Sequence, residues 1–336
     1  MSKVSVIGSG SWGTALAWLL CNNGHRLTLW SYLEEEAAMY RQYHQNTDKL
    51  PGVVLPDHVV YTTDLAEACR DKDVLVLAVP SPVVRSTAAR MKSLVPAGQL
   101  IVNVAKGIED DTLMTMAQII EKEIPQADVA VLSGPSHAEE VGRGLPTAIV
   151  AGAHDRKTAE TVQQLFMSPV FRVYTSPDLT GIQVGAAMKN VIALAAGVAD
   201  GMGYGDNTKA ALITRGSAEI ARLGIAMGAN PNTLYGLSGI GDLFVTCASV
   251  HSRNRKAGFL MGQGKPMKEA MEEVHQVVEG VYSARAGKAL AEKYGVEMPI
   301  IEAVNRVLFD GEDPRKAVNE LMVRSRKDET GDWKEE

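Results

Sequence analysis

The sequence has few cysteines, no excess of positive charge and no clean apolar run of membrane-spanning length, and each shortage removes a class of function. Its three cysteines, Cys21, Cys69 and Cys247, lie far apart and form no C-x-x-C pair. Neither a disulfide framework nor a metal site is therefore expected, and a reducing, cytoplasmic setting fits. Lys plus Arg number 34 against 40 Asp plus Glu, a net charge of -6, which argues against a general binder of nucleic acid or anionic membranes. An anionic ligand must then be met by a local basic cluster. The most apolar stretch, Gly181 to Ala199, is interrupted by Gln183, Lys189 and Asn190 and dominated by glycine and alanine. It reads as a buried helix, and no integral membrane segment is expected. Met1-Ser2-Lys3 leads directly into an apolar run, so no signal peptide is expected either.

What is present is an ordinary globular composition, 336 residues of which 46% are hydrophobic, enough for two domains each with its own core. The chain is organised around Val4-Ser5-Val6-Ile7-Gly8-Ser9-Gly10-Ser11-Trp12-Gly13, followed by Thr14-Ala15-Leu16-Ala17-Trp18-Leu19-Leu20. Physically this is a buried strand, a tight turn and a helix start. Gly8 permits the turn, Gly10 keeps side-chain atoms off an approaching pyrophosphate, and Gly13 lets the helix lie close on the strand. The unpaired N–H groups of the first helical turn suit phosphates. Glycines at this spacing also arise by chance, but the strand before and the helix after are the context a dinucleotide site needs.

Arg26 to Trp30 reads as the second strand, and further strands are expected at Val59–Tyr61, Val74–Ala78, Leu100–Val104, Val129–Leu132, Thr147–Ala151 and Phe171–Tyr174. Alternation with helices specifies an α/β fold, a Rossmann-like doubly wound, mostly parallel sheet. From Asp178 onward the strand signal disappears and helical spacing takes over. The expected organisation is a dinucleotide-binding domain at 1–177, an all-helical C-terminal domain at 178–323 and a charged tail at 324–336. NAD-specific sites place an acid roughly 20 residues beyond the glycines. Here the chain reads Trp30-Ser31-Tyr32-Leu33, which tolerates a 2′-phosphate and points to NADPH, with NADH still open because no arginine follows directly.

Ligands in an open parallel sheet collect outside the carboxyl ends of the strands. That rim carries Lys106, flanked by Ala105 and Gly107, and Ser133-Gly134-Pro135-Ser136. Lys106 alone could be a surface lysine, and Ser136 with Glu139 has the spacing of a capping box. Lys189 in so apolar a helix either snorkels from an edge or faces a cleft with a lowered pKa, poised for proton transfer to a carbonyl/alcohol pair. Asp242, among glycines and apolar residues, is either a helix N-cap or the charge partner of Lys189. His251-Ser252-Arg253-Asn254-Arg255-Lys256 is either a solvated basic turn or an anion site; His251 has no partner motif.

Taken together, GSGSWGTALA, NVAKGIE, SGPSHAEEVGRGLPTAIV, MKNVIALAAGVADGMGYGDNTKAALITRG, GLSGIGDL, SRNR and QVVEG make the chain resemble the NAD(P)-dependent glycerol-3-phosphate dehydrogenases of the bacterial type, from about Val4 to Lys327. The resemblance implies a cofactor site at Gly8, Gly10, Ser11, Trp12, Gly13, Tyr32, Lys106, Ala138, Arg253, Val277 and Glu279, for NADP(H) or NAD(H). It implies Lys189 as the catalytic proton donor and acceptor, aided by Lys106 and Asp242. Substrate binding falls to Lys106, Gly134, Ser136, Lys189, Asp242, Ser252, Arg253 and Asn254, with Arg253 and Asn254 on the phosphate. Many members of the family carry His or Arg where this chain has Tyr32. The implied reaction is reversible reduction of dihydroxyacetone phosphate to sn-glycerol 3-phosphate for phospholipid synthesis. The expected partners are that triose phosphate and a second copy of the chain in a homodimer. Rival readings are a β-hydroxyacid or 6-phosphogluconate-type dehydrogenase, and a non-catalytic NADPH-binding sensor.

Overall fold

The computed structural model describes residues 1–326, 328 and 329, so part of the tail expected at 324–336 lies outside the described residues. Strands β1 (Lys3–Ile7), β2 (Arg26–Trp30), β3 (Val60–Thr62), β4 (Val74–Leu77), β5 (Leu100–Asn103), β6 (Asp128–Ser133), β7 (Thr147–Ala153) and β8 (Phe171–Ser176) form one sheet ordered β3-β2-β1-β4-β5-β6-β7-β8. Every neighbouring pair is parallel except β6 with β7. Short runs such as Val-Leu-Val-Leu in β4 and Leu-Ile-Val-Asn in β5 are buried at every position, as a sheet covered on both faces requires. Helices α1 (Ser11–Asn22), α2 (Glu34–Tyr43), α3 (Leu65–Cys69), α4 (Val84–Met91), α5 (Met116–Glu123), α6 (Ala138–Val141) and α7 (Arg156–Phe166) supply the cover. One flanking layer contains Leu16, Leu20, Phe166 and Phe171, the other Leu75, Met91, Ile101 and Ile120. This is the doubly wound fold expected, and its strand order reverses between β1 and β4, the position where such sheets bind ligands.

Beyond β8 all regular elements among the described residues are helical: α8 (Leu179–Gly201), α9 (Asp206–Ala226), α10 (Pro231–Leu234), α11 (Asp242–Ala248), α12 (Arg253–Gly262), α13 (Met267–Val274), α14 (Glu279–Tyr294), α15 (Pro299–Phe309) and α16 (Pro314–Met322). The apolar stretch read as a buried helix is α8, wrapped by α9, α11, α12 and α14 in a core that includes Val191, Ile192, Leu223 and Ile301. Its N-terminus is fixed by Asp178, whose carboxylate accepts the N–H of Gly181 at 2.8 Å and of Asn230 at 2.8 Å. α8 and α12 cross with backbone on backbone. A Cβ at Gly197 would lie 2.1 Å from the Arg255 carbonyl oxygen, and one at Gly258 would lie 2.1 Å from that of Leu194. Only hydrogen fits at such a crossing, and the close approach carries the N-terminus of α12 to the middle of α8.

Candidate active site

The glycine turn between β1 and α1 has the local geometry a pyrophosphate needs. Gly8 sits at φ +122, in the region that favours glycine, and hydrogen-bonds through its N–H to the Trp30 carbonyl at 3.0 Å. A Cβ at Gly13 would stand 2.0 Å from the Gly8 oxygen, whereas one at Gly10 would meet nothing within 4 Å. Gly13 is thus consumed by packing and Gly10 leaves open space, the two requirements of a phosphate-binding turn. No side chain caps α1, so its first N–H groups remain available to an anion. Ser11 donates its hydroxyl to the Lys49 carbonyl at 2.8 Å, the Trp12 indole N–H is buried without a partner, and Ala138 opens α6, which packs on α1. These residues fit a dinucleotide.

Loops from the sheet and helices from the second half meet at a buried charge cluster. Lys106, just past β5, donates to the Gly134 carbonyl at 2.9 Å and to one oxygen of Asp242 at 2.7 Å. Lys189, in the middle of α8, donates to the other oxygen of Asp242 at 2.5 Å and to the Thr246 hydroxyl at 2.7 Å, which in turn donates to the Asp242 carbonyl at 2.6 Å. Asp242 is 1% exposed. It is the charge partner of Lys189 and not an N-cap, since α11 is preceded by Gly241 as its capping residue. A close-packed bend delivers it there, for a Cβ at Gly239 would lie 1.8 Å from the Leu234 oxygen.

Burial pulls the Lys189 ammonium from its ordinary 10.5 down to about 8, with Asp242 opposing and Lys106 reinforcing the shift. Burial by itself would raise the Asp242 carboxyl, but the Lys106 and Lys189 ammoniums outweigh it and hold the group below the usual carboxylate range. Each lysine has three N–H donors and uses two within the cluster, leaving one for a ligand.

A second group of predicted residues forms around the start of α12. Ser252 caps that helix by accepting the Arg255 N–H at 3.2 Å. Asn254 is buried, donates to the Asn190 side chain at 3.0 Å and accepts the Gly280 N–H at 2.8 Å. Arg253 is exposed and reaches Gln276 at 3.3 Å, next to half-buried Val277. Arg255 is withdrawn from any anion by its pair with Asp200 at 2.6 Å. Glu279 crosses back to the sheet, accepting both the N–H of Ser81, at 3.1 Å, and its hydroxyl; burial raises its pKa against the pull of Ser81 and Arg253. Tyr32, just beyond β2, is 73% exposed.

The capping box expected at Ser136 does not form. α6 starts one residue later with His137 as its capping residue, and the Ser136 hydroxyl turns back to the Gly134 carbonyl at 2.9 Å. Because the helix begins after His137, Ser136 lies one residue outside the capping position, and a helix as short as α6 gains little from a cap. Sequence reasoning also passed over Thr246, although its place four residues after Asp242 sets both on one helical face, and His137. The His137 ring lies 6.0 Å from that of His251. Burial, with Lys189 and Lys106 nearby, lowers its pKa, and its Nε2 has no partner.

The model of the NAD-dependent glycerol-3-phosphate dehydrogenase N-terminus matches residues 3–159, and that of the C-terminus of the same enzymes matches residues 178–319. The chain is 63% identical over 336 residues to a glycerol-3-phosphate dehydrogenase [NAD(P)+] of Agathobacter rectalis, covering 99% of this chain and 100% of that protein. It is 57% identical to one of Fusobacterium nucleatum, covering 99% and 100%. Among solved structures it is similar to glycerol-3-phosphate dehydrogenase from Coxiella burnetii, with a TM-score of 0.93 at 35% identity over 96% of this chain and 99% of that one.

Proposed function

This chain belongs to the NAD-dependent glycerol-3-phosphate dehydrogenase family, and from that premise we propose how its residues interconvert dihydroxyacetone phosphate and sn-glycerol 3-phosphate. When bound, NAD(P)H supplies a hydride to the ketone carbon. The glycine turn and the N–H groups of Ser11, Trp12 and Gly13 hold the pyrophosphate, with Tyr32, Ala138, Val277 and Glu279 along the rest of the cofactor. Arg253 and Asn254 hold the substrate phosphate at the N-terminus of α12, where Ser252 fixes the backbone. Binding energy gained there, remote from the reacting carbon, fixes the ketone against the charge cluster.

As negative charge builds on the ketone oxygen, Lys189 gives it a proton through the one N–H the cluster leaves free, and takes a proton back in the reverse direction. A lysine near pKa 8 suits both directions close to neutral pH. Lys106 adds fixed positive charge beside it, and Asp242 holds both ammoniums in place. The observation that carries this reading is the convergence of Lys106, Lys189 and Asp242 in one buried cluster where the sheet loops meet α8 and α11. The same proposal places the enzyme in the cytoplasm as a homodimer, its product supplying the backbone of phospholipids.

The test is Lys189→Ala assayed with dihydroxyacetone phosphate and NADPH or NADH. Losing one preorganised donor at a developing oxyanion costs roughly 3 kcal/mol, about a hundredfold in rate. Near-normal turnover would remove Lys189 from the mechanism. Greater activity of the parent chain on hydroxyacids would favour the β-hydroxyacid reading, and cofactor binding without oxidation by any ketone the sensor reading.

A further inference from the structure

The sequence has no arginine directly after β2, yet the fold brings one there. Arg90 lies in the last turn of α4, and its guanidinium carbon sits 5.7 Å from the centre of the Trp30 ring and 5.8 Å from that of Tyr32. The two rings meet edge to face with centroids 6.2 Å apart. Trp30 is anchored, being buried and donating its indole N–H to the Thr63 carbonyl at 3.0 Å. Arg90 itself is exposed and enters no ion pair among the described residues. A guanidinium near two ring faces is attracted by their π systems without an acid to consume its N–H groups, which leaves them for an anion.

The acids of this turn are largely committed elsewhere. Glu36 turns inward, accepting the hydroxyls of Ser9 and Ser31 and pairing with Lys49, while Glu34 pairs with Arg41. Of the three that open α2, Glu35 stays exposed. Two of the three carboxylates that open α2 are therefore occupied, and the guanidinium beside the end of β2 has no carboxylate partner among the described residues.

We propose that Arg90, held on the Trp30 and Tyr32 rings, is the group that reads the ribose 2′-phosphate and so sets the chain's preference for NADPH over NADH. The proposal rests on the glycine turn being a dinucleotide site, in which the residues just past β2 face the adenosine ribose. It makes Arg90 a specificity residue, remote from the reacting carbon. It also explains how a chain with tyrosine at position 32 recognises a phosphate there.

The experiment is calorimetric titration of the full chain with adenosine 2′,5′-bisphosphate and, separately, with 5′-AMP. Arg90→Ala should weaken the bisphosphate by about tenfold or more, the share of one charged hydrogen-bonding partner, and leave 5′-AMP within about twofold. Arg90→Lys should fall between, keeping charge without the planar fork. In steady-state assays the KM for NADPH should rise relative to that for NADH, with kcat alike for both. Equal losses for the two adenosine ligands, or no loss for either, would overturn the proposal. A parent chain that binds neither compound would overturn the dinucleotide reading itself, and the role of Arg90 with it.

Discussion

Replacing Asp242 with asparagine removes the one negative charge from a cluster that is otherwise two lysines. Asp242 is 1% exposed and holds Lys106 at 2.7 Å and Lys189 at 2.5 Å. Asparagine keeps the shape but leaves two ammoniums facing each other, that of Lys189 buried and that of Lys106 half-buried. Removing one partner of a buried pair costs about 3–5 kcal/mol, so the melting temperature of Asp242→Asn should fall by on the order of 10 °C. The sharper signature is in the pH profile. Asp242 is the main influence raising the Lys189 pKa, while burial and Lys106 both lower it. Without the carboxylate the pKa must drop below its present value of about 8. Ketone reduction needs the protonated lysine, so the alkaline limb of kcat for dihydroxyacetone phosphate should move to lower pH and the rate at neutral pH should fall. The alcohol-oxidising direction should keep its rate to lower pH than in the parent. An alkaline limb that stays in place or moves upward would refute the reasoning, whatever happens to stability.

Arg253→Ala should raise the KM for dihydroxyacetone phosphate by roughly tenfold to a hundredfold, the worth of a charged hydrogen bond, while leaving reduction of unphosphorylated dihydroxyacetone unchanged; equal effects on the two ketones would remove its phosphate role. Gly258→Ala places a Cβ 2.1 Å from the Leu194 oxygen and should cost about 1–3 kcal/mol as α8 and α12 separate, with a raised KM as Asn254 leaves Asn190; an unchanged melting temperature would contradict the crossing described. Glu219, buried with its carboxylate on the Ile300 and Ile301 N–H groups, has its pKa raised by burial from 4.5 to about 7. A raised folded pKa gives stability that is full below 4.5 and lost as pH climbs through about 7, about 3 kcal/mol in all. Glu219→Gln should remove that loss between pH 5 and pH 8 in denaturant unfolding, and a slope equal to the parent's would refute the assignment.

The sheet was legible because strands covered on both faces must be continuously apolar, and because Gly8 and Gly13 sit where a turn and a close helix demand them. The charge cluster was legible only in pieces. Lys189 announced itself as a cation in an apolar helix, but nothing local ties it to Asp242 on α11 or to Lys106 beyond β5; those contacts come from three elements that meet only after the two halves pack. The glycines of α8 and α12 recur four apart in each helix, yet only the crossing reveals that they face one another. Arg90 shows the same limit. A search confined to the residues after β2 finds no arginine, because the one that arrives there belongs to a helix two strands further along the chain. Ser136 failed in the opposite way: a local spacing was present, but the helix begins one residue later, after His137.

The cluster also constrains how the enzyme can move. Asp242 ties the helical half to the sheet through Lys106, and Glu279 ties it again through Ser81. Opening the cleft along that line would strip buried charges of their partners, at several kcal/mol for Asp242 alone, whereas Arg253, exposed and bonded to a neutral glutamine at 3.3 Å, can swing at little cost. On the proposed mechanism the triose phosphate would enter past Arg253, phosphate trailing, into a cluster already assembled with a net charge of one positive unit. Arg253 adds a second positive unit, so the phosphate dianion is neutralised only by the cluster and Arg253 together, and tight binding is expected to weaken with added salt mainly through Arg253. Comparing the salt dependence of KM in the parent and in Arg253→Ala tests this directly: a slope that survives the substitution would show that the anion is met elsewhere.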